Sequence, residues 1–232
     1  MYASLRIHGS STISLSVNAA YSATISALSK GQQWEKALEL FRELEASGST
    51  PSIVTYNATM TALEKGLQWE RALDLFDEMK SKDLPVTVVS YGSAISACEK
   101  GLQYRQCLEY LDEMTQVGIK KNVIIFGAAM SCMEKCSRAD IGFQLMERMK
   151  IEEVVPNVHI YNSAISACAR CGLWEKGYEL FCQMEEAGVA RDVVSYNAVL
   201  EAVSSQQQLA RRLFKEGTFV FLDRDDACQY IF

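Results

Sequence analysis

Few residues in this sequence are suited to covalent or metal chemistry. Cys168-Ala169-Arg170-Cys171 is a C-x-x-C, and His159 lies upstream of it. A zinc-dependent nucleobase deaminase uses such residues, but it needs H-x-E and P-C-x-x-C, the glutamate shuttling the proton of a zinc-bound water. Here His159 is followed by Ile160 and Tyr161, and Ala167 precedes Cys168, so the glutamate is missing. A structural zinc would need two further ligands, which Cys132 and Cys136 could supply from one period earlier. Against that, Cys98, Cys132 and Cys168 fall at apolar or small positions of a repeating pattern, where burial as small hydrophobes explains them. His8 and His159 are the only histidines. The sequence contains no GxxxxGK[ST] phosphate loop and no nuclease-like carboxylate cluster outside its repeats. No catalytic residue, metal or cofactor is assigned, and no small-molecule substrate is expected.

A second set of residues recurs at a fixed interval. Lys30, Lys65, Lys100, Lys135 and Arg170 place a cation every 35 residues, and Ser26, Thr61, Ser96, Ser131 and Ser166 place a small hydroxyl in the same rhythm. The elements that position them follow from the same period. Tyr21, Tyr56, Tyr91, Phe126, Tyr161 and Tyr196 share it, with matching neighbours such as YNATMTALEKGLQW and YNSAISACARCGLW. With this aromatic numbered position 4, copies start at Asn18, Ile53, Val88, Val123, Val158 and Val193.

Each copy reads as two helices. Positions 4, 8 and 11 form an i, i+4, i+7 apolar stripe, as in Tyr56, Met60 and Leu63, the mark of an amphipathic helix. Position 10 is small throughout (Ala27, Ala62, Ala97, Cys132, Ala167, Ala202), allowing a neighbouring helix to approach. Gly31, Gly66 and Gly101 follow this helix and are expected to form left-handed caps. Cys136 and Cys171 replace them later, where caps of another kind are expected. The second helix carries Trp69, Leu73, Phe76 and Met79 at positions 17, 21, 24 and 27, with position 17 expected to pack on the partner helix. Gly48, Gly118 and Gly188 stop it, and all three prolines, Pro51, Pro85 and Pro156, fall in the links between copies. Such pairs bury their apolar faces only by stacking, with three or more copies required. The expected fold is an all-α, right-handed α-solenoid of helix-turn-helix repeats over residues 18–205, preceded by an extension over 1–17 and followed by a degenerate end over 206–232.

Composition agrees with a folded chain: 232 residues, 49% hydrophobic and 22% charged. No apolar run approaches the roughly 18–20 residues of a membrane span, so no membrane partner is expected. Eight cysteines without a paired framework point to a reducing compartment. The net charge of −6 argues against gripping a polyanion by bulk charge. Twenty of the 29 acids, however, lie between positions 18 and 31, on second helices and their exits. The position 13 cations belong to the first helices, so the charge is expected to be polarised.

The 35-residue helix pair resembles the pentatricopeptide repeat family. The residues that carry the likeness are Ile53-Val54-Thr55-Tyr56-Asn57, Lys65-Gly66-Leu67-Gln68-Trp69 and Leu75-Phe76-Asp77-Glu78-Met79, repeated in register over about residues 18–205. Constant repeat length resembles the pure (P-type) subclass. The resemblance implies single-stranded RNA binding at one base per repeat, in organelle RNA processing, stabilisation or translation. It implies base reading at positions 5 and 35: Ser22, Asn57, Gly92, Gly127, Asn162 and Asn197, with Ser52, Thr87, Asn122, Asn157 and Asp192. It implies base sandwiching at position 2: Ala19, Val54, Val89, Ile124, His159 and Val194. Asn162 with Asp192 implies uracil and Asn57 with Thr87 a pyrimidine. Gly92 and Gly127 depart from the common pattern and imply loosely read bases, while Ser22 with Ser52 leaves the base open.

Helical geometry is consistent with that placement. At 100° per residue, positions 5, 9, 13 and 2 fall within one face of the first helix. Helix pairs stacked roughly 8–10 Å apart match a stretched single strand nucleotide by nucleotide, with Lys30, Lys65, Lys100, Lys135 and Arg170 against phosphates. Two simpler readings compete. Asn, Ser and Thr near a helix start serve as caps, and a terminal Lys complements the helix dipole. Glu64, Glu99 and Glu134 beside the cations would weaken the local positive potential. A protein-interaction scaffold is the alternative to RNA binding. The first 17 residues contain no acid and five serines, which resembles a transit peptide; mitochondrion or plastid is expected, with the cytoplasm as alternative. The apolar FVFL near the end is a candidate contact for a protein partner.

Overall fold

The computed structural model describes residues 6–204, 206 and 209–213, with side chains described from residue 17. The helices are α1 (Arg6–Lys30), α2 (Trp34–Ala46), α3 (Ile53–Lys65), α4 (Trp69–Ser81), α5 (Val88–Gly101), α6 (Tyr104–Gln116), α7 (Val123–Lys135), α8 (Ala139–Ile151), α9 (Val158–Arg170), α10 (Trp174–Glu186) and α11 (Val193–Ala202). Among the described residues there is no strand. After α11, a further helical segment covers 209–213. The FVFL segment and the acidic end lie outside the described residues. α1 runs unbroken through residue 17, where the sequence places the end of the extension.

The chain divides into two compact units, up to Lys120 and from Lys121. In the first, α1 packs on α3 and α3 on α5, each beside its own second helix. In the second, α7 packs on α9 and α9 on α11 in the same way. Each unit is a stretch of all-α solenoid.

The aromatic period has a direct packing cause. Phe41 of α2 meets Tyr56 of α3 edge-on with ring centroids 4.9 Å apart, Phe76 meets Tyr91 at 5.2 Å, and Phe181 meets Tyr196 at 5.1 Å. Position 24 of one copy thus packs on position 4 of the next, each pair contributing about 0.5–1.5 kcal/mol beyond its burial. The small residues work as expected. Ala62, Ala97, Cys132, Ala167 and Ala202 are buried, whereas Ala27 is exposed. At position 20, a Cβ on Gly177 would come within 3.2 Å of Ala202 and 3.3 Å of Cys168, so α10 lies close to both α9 and α11.

The glycine caps differ from expectation. Gly66 has φ −79°, ordinary right-handed backbone. The left-handed residue is the next one: Gln32, Leu67, Leu102, Ser137 and Gly172, with φ between 53° and 69°. Cys136 and Cys171 have φ −83° and −90°, so their caps are built like that of Gly66, not differently. Position 14 is glycine for a different reason. A Cβ on Gly66 would overlap the Trp34 indole, and one on Gly101 the Trp69 indole. Position 17 therefore covers the following repeat rather than only its own partner helix. Ala139 takes the indole's place before Cys171, where a side chain is present at position 14. The second-helix glycines do behave as expected, with φ 78°, 74° and 67° at Gly48, Gly118 and Gly188.

Second helices of adjacent copies are also tied by charge. Lys82 Nζ donates to Glu45, Glu78 and the Tyr56 hydroxyl at 2.7, 2.8 and 2.9 Å, and Arg42 reaches Glu78 at 3.2 Å. Burial raises the Glu78 carboxyl, but hydrogen bonds from Lys82 and Tyr56 and the Arg42 charge prevail and hold it at about 2.

Candidate nucleic-acid interface

Every position 35 residue is an N-cap of the following first helix. Ser52 accepts from the Thr55 amide, Thr87 from Ser90, Asn157 from Ile160 and Asp192 from Ser195, while Asn122 accepts from both Ile124 and Ile125. Such a cap stabilises by about 1 kcal/mol. The capping reading is therefore realised across the whole set. Capping consumes only part of a side chain's acceptor capacity, since a carboxylate has about four lone-pair sites.

Asp192 uses that capacity. Its Oδ1 accepts from the Ser195 amide at 2.8 Å and from the Asn162 side-chain amide at 3.0 Å. Burial pushes the Asp192 carboxyl up, but the Ser195 amide, the Asn162 amide and the Ser195 hydroxyl outweigh it and hold the group below its usual value. Positions 5 and 35 of this repeat are thus joined. Asn162 is 6% exposed, and its Oδ1 is buried without a protein hydrogen-bond partner. An unpaired buried carbonyl costs roughly 1–3 kcal/mol. Asn57 Oδ1 is in the same state. Thr87 shares a capping box with Ser90, as Asp192 does with Ser195.

The other position 5 residues diverge. Ser22 is buried and its hydroxyl donates to the Ala19 carbonyl at 3.1 Å. Asn197 is exposed, Gly92 half-buried and Gly127 buried. Position 2 is exposed in every copy: Val54, Val89, Ile124 and Val194 show 63%, 59%, 74% and 56% of their surface, and Ala19 and His159 are also exposed. Apolar or small side chains are thus left in solvent at one register in copy after copy, with His159 the polar exception. In the second unit, the position 2 residue His159 lies against the preceding copy: its Nε2 is 3.2 Å from Ser131 Oγ, and a Cβ on Gly127 would stand 3.4 Å from the ring.

The position 13 cations are all exposed and close the last turn of α1, α3, α5, α7 and α9, where they also complement the helix dipole. Their recorded ion pairs run to position 12 glutamates: Lys100 to Glu99 and Arg170 to Glu134, both at 3.8 Å. The second pair joins neighbouring repeats. Burial raises the Glu64 carboxyl, with Lys100 opposing and Glu99 adding to the rise. The glutamates are therefore partners of the cations, which the sequence pattern did not explain.

The described cysteines are not gathered at one point. Burial, with Cys171 nearby, pushes the Cys168 thiol up to about 11, away from the thiolate a metal needs. Cys171 Sγ donates to the Ser137 carbonyl at 3.1 Å. Among the described residues, no group of three or more His, Cys, Asp or Glu is placed to hold a metal ion. No helix among them is long and apolar enough to cross a membrane.

Comparison with known proteins agrees with the repeat register. A profile of the PPR repeat family matches residues 51–100 and 156–205, and a profile of the PPR repeat matches 19–49 and 89–119. No curated protein matches significantly. The PPR domain of Arabidopsis thaliana protein-only RNase P 1, solved in complex with tRNA, is similar with TM-score 0.69 and 15% identity, over 81% of this chain and 98% of that one. The maize protein PPR10, solved with an 18-nt psaJ RNA element, gives TM-score 0.59 and 21% identity over 88% of this chain. This chain spans 34% of PPR10 and 41% of Arabidopsis thaliana nuclear protein-only RNase P 2, to which it is similar over 79% of its own length with TM-score 0.68 and 15% identity. By register, fold and profile, the chain belongs to the pentatricopeptide repeat family.

Proposed function

We propose that this chain binds single-stranded RNA sequence-selectively, one base per repeat, with position 2 flanking each base and positions 5 and 35 reading it. The observation that carries this reading is the buried, unpartnered Oδ1 of Asn162 and of Asn57, at the same register in two copies. Each lies in a helix layer that also exposes apolar residues at position 2. Oδ1 is shielded in the unbound chain, so a small side-chain displacement would bring it to a base edge that satisfies the carbonyl, and the apolar side chains would cover the base faces. Two similar folds were solved with RNA, a tRNA in one and an 18-nt element in the other.

Base preference follows from which atom is left to be satisfied. Ionised Asp192 can only accept, so it fixes the Asn162 Nδ2 toward itself and leaves Oδ1 for the ligand. A carbonyl needs a donor. Uracil offers its ring N3–H at the centre of the pairing edge, where cytosine has a bare N3 acceptor that repels the carbonyl and only the flanking N4 amino group to donate. Repeat 5 therefore takes uracil. No carboxylate fixes the Asn57 amide, which can present either end, so repeat 2 takes either pyrimidine. Repeats 3 and 4, with Gly92 and Gly127, hold their bases more loosely, and the cations at position 13 meet phosphates.

The chain supplies occupancy rather than catalysis. Bound RNA is shielded from nucleases, held open or presented to an enzyme, in the mitochondrion or plastid that the resemblance implies. The test is binding of short single-stranded RNAs by fluorescence anisotropy, with one base exchanged at a time. Asn162→Thr shifts preference at a single nucleotide. Equal binding of all single-base variants by wild type and variant refutes the reading and leaves a protein-interaction scaffold.

A further inference from the structure

We infer that His159 is the base-contacting residue of the fourth repeat, supplying the directional group that Gly127 cannot, and that it discriminates among nucleobases of single-stranded RNA. The inference rests on the RNA-binding reading above. In the second and fifth copies, position 5 carries asparagine; in the fourth it is Gly127, which has no side chain. The residue at position 2 of the following copy is Val54, Val89, Ile124 or Val194 elsewhere, but here it is His159.

The two departures meet in space. A Cβ on Gly127 would stand 3.4 Å from His159 Cδ2, so the imidazole borders the space a side chain at position 5 would enter. Ser131, one turn further along α7, is 3.2 Å from Nε2 through its hydroxyl. The ring is thus held by Ser131 and borders Gly127, both residues of the repeat whose base it would read. Asn157, the position 35 residue of that repeat, spends Oδ1 on the Ile160 amide. Among the described residues, His159 Nδ1 has no partner, and the side chain is exposed.

A seated imidazole does more than an isopropyl group. Its free nitrogen, directed in the ring plane, meets a base edge, a contact that an isopropyl group cannot make. The Ser131 hydroxyl donates or accepts, so it matches either neutral tautomer and leaves Nδ1 as acceptor or donor. Ser131 is a positioning residue in this arrangement, and His159 is the group that touches the base.

The experiment starts from an RNA selected on the wild-type chain and scans each nucleotide through all four bases. Asn162→Thr identifies the nucleotide of repeat 5. His159→Val installs the residue other copies carry, so folding is expected to be preserved, as checked by circular dichroism. At one nucleotide adjacent to that of repeat 5, wild type is expected to separate best from worst base by about fivefold or more, the scale of one net hydrogen bond. His159→Val compresses that ratio to about twofold or less, the part left without that bond, and leaves the repeat 5 ratio unchanged. Ser131→Ala reduces the same ratio, and His159→Gln, which keeps polar groups, retains more of it than valine. An unchanged ratio in His159→Val while Asn162→Thr still shifts its own nucleotide overturns the inference and spares the general reading. Absence of RNA binding by wild type overturns both.

Discussion

The side-chain amide of Asn162 donates to the Asp192 carboxylate at 3.0 Å, and the same oxygen caps α11 through the Ser195 amide at 2.8 Å. One acid therefore fixes both a helix start and the orientation of a buried amide. Asp192→Asn keeps a good capping residue but removes the group that can only accept. The Asn162 amide is then free to present either end. Uracil-over-cytosine preference at that nucleotide is expected to fall about fivefold, the scale of one net hydrogen bond, with thermal stability lowered by about 1 kcal/mol or less. Anisotropy titrations with two RNAs differing at that base check it.

The Trp34 indole occupies the space where Gly66 would carry a side chain. Gly66→Ala is expected to cost about 1–3 kcal/mol by overpacking, although Gly66 has ordinary backbone angles and alanine favours helix. The same substitution in a Trp34→Ala background should cost much less. A double-mutant cycle by urea denaturation measures the coupling, and additive costs would contradict the packing cause.

Glu78 couples stability to pH. Its folded value, about 2, lies below the ordinary carboxyl value, so its contribution is full above that ordinary value and fades as pH falls toward 2. Melting temperature is expected to fall through this acid window. Glu78→Gln should be less stable than wild type at neutral pH and should lose less on acidification. Thermal melts across the window, at constant ionic strength, decide it.

Salt dependence reports the cations. Five position 13 contacts to a single strand limit the slope of log K against log salt to no steeper than about −3.5, at about −0.7 per phosphate. Lys65→Ala with Lys100→Ala should flatten it by about 1.4 at most. The Glu99 and Glu134 ion pairs act in the same direction, by offsetting part of the charge. A slope near −8 would require another binding surface.

Much of the fold was legible because each copy repeats the same burial problem. Tyr56, Met60 and Leu63 announce α3 by spacing alone, and all three are fully buried. The caps at Ser52 through Asp192 were legible as residue types. Relationships between copies were not. The Trp34–Gly66 relationship links position 17 of one repeat to position 14 of the next, so within a single copy Gly66 reads only as a left-handed cap. The placement of His159 beside Gly127 and Ser131 likewise crosses repeats. A glycine at position 5 followed by a polar residue at the next position 2 was the available signal. Pairing of Glu134 with Arg170 has the same origin: neighbours in space, 36 residues apart in sequence.

Selection of bound sequences from a random single-stranded RNA pool tests the central claim most directly. The account predicts an enriched motif with uracil at the nucleotide of repeat 5 and a pyrimidine at that of repeat 2, the uracil shifting in Asn162→Thr. No enriched motif, with binding unaffected by Lys65→Ala plus Lys100→Ala, would contradict it.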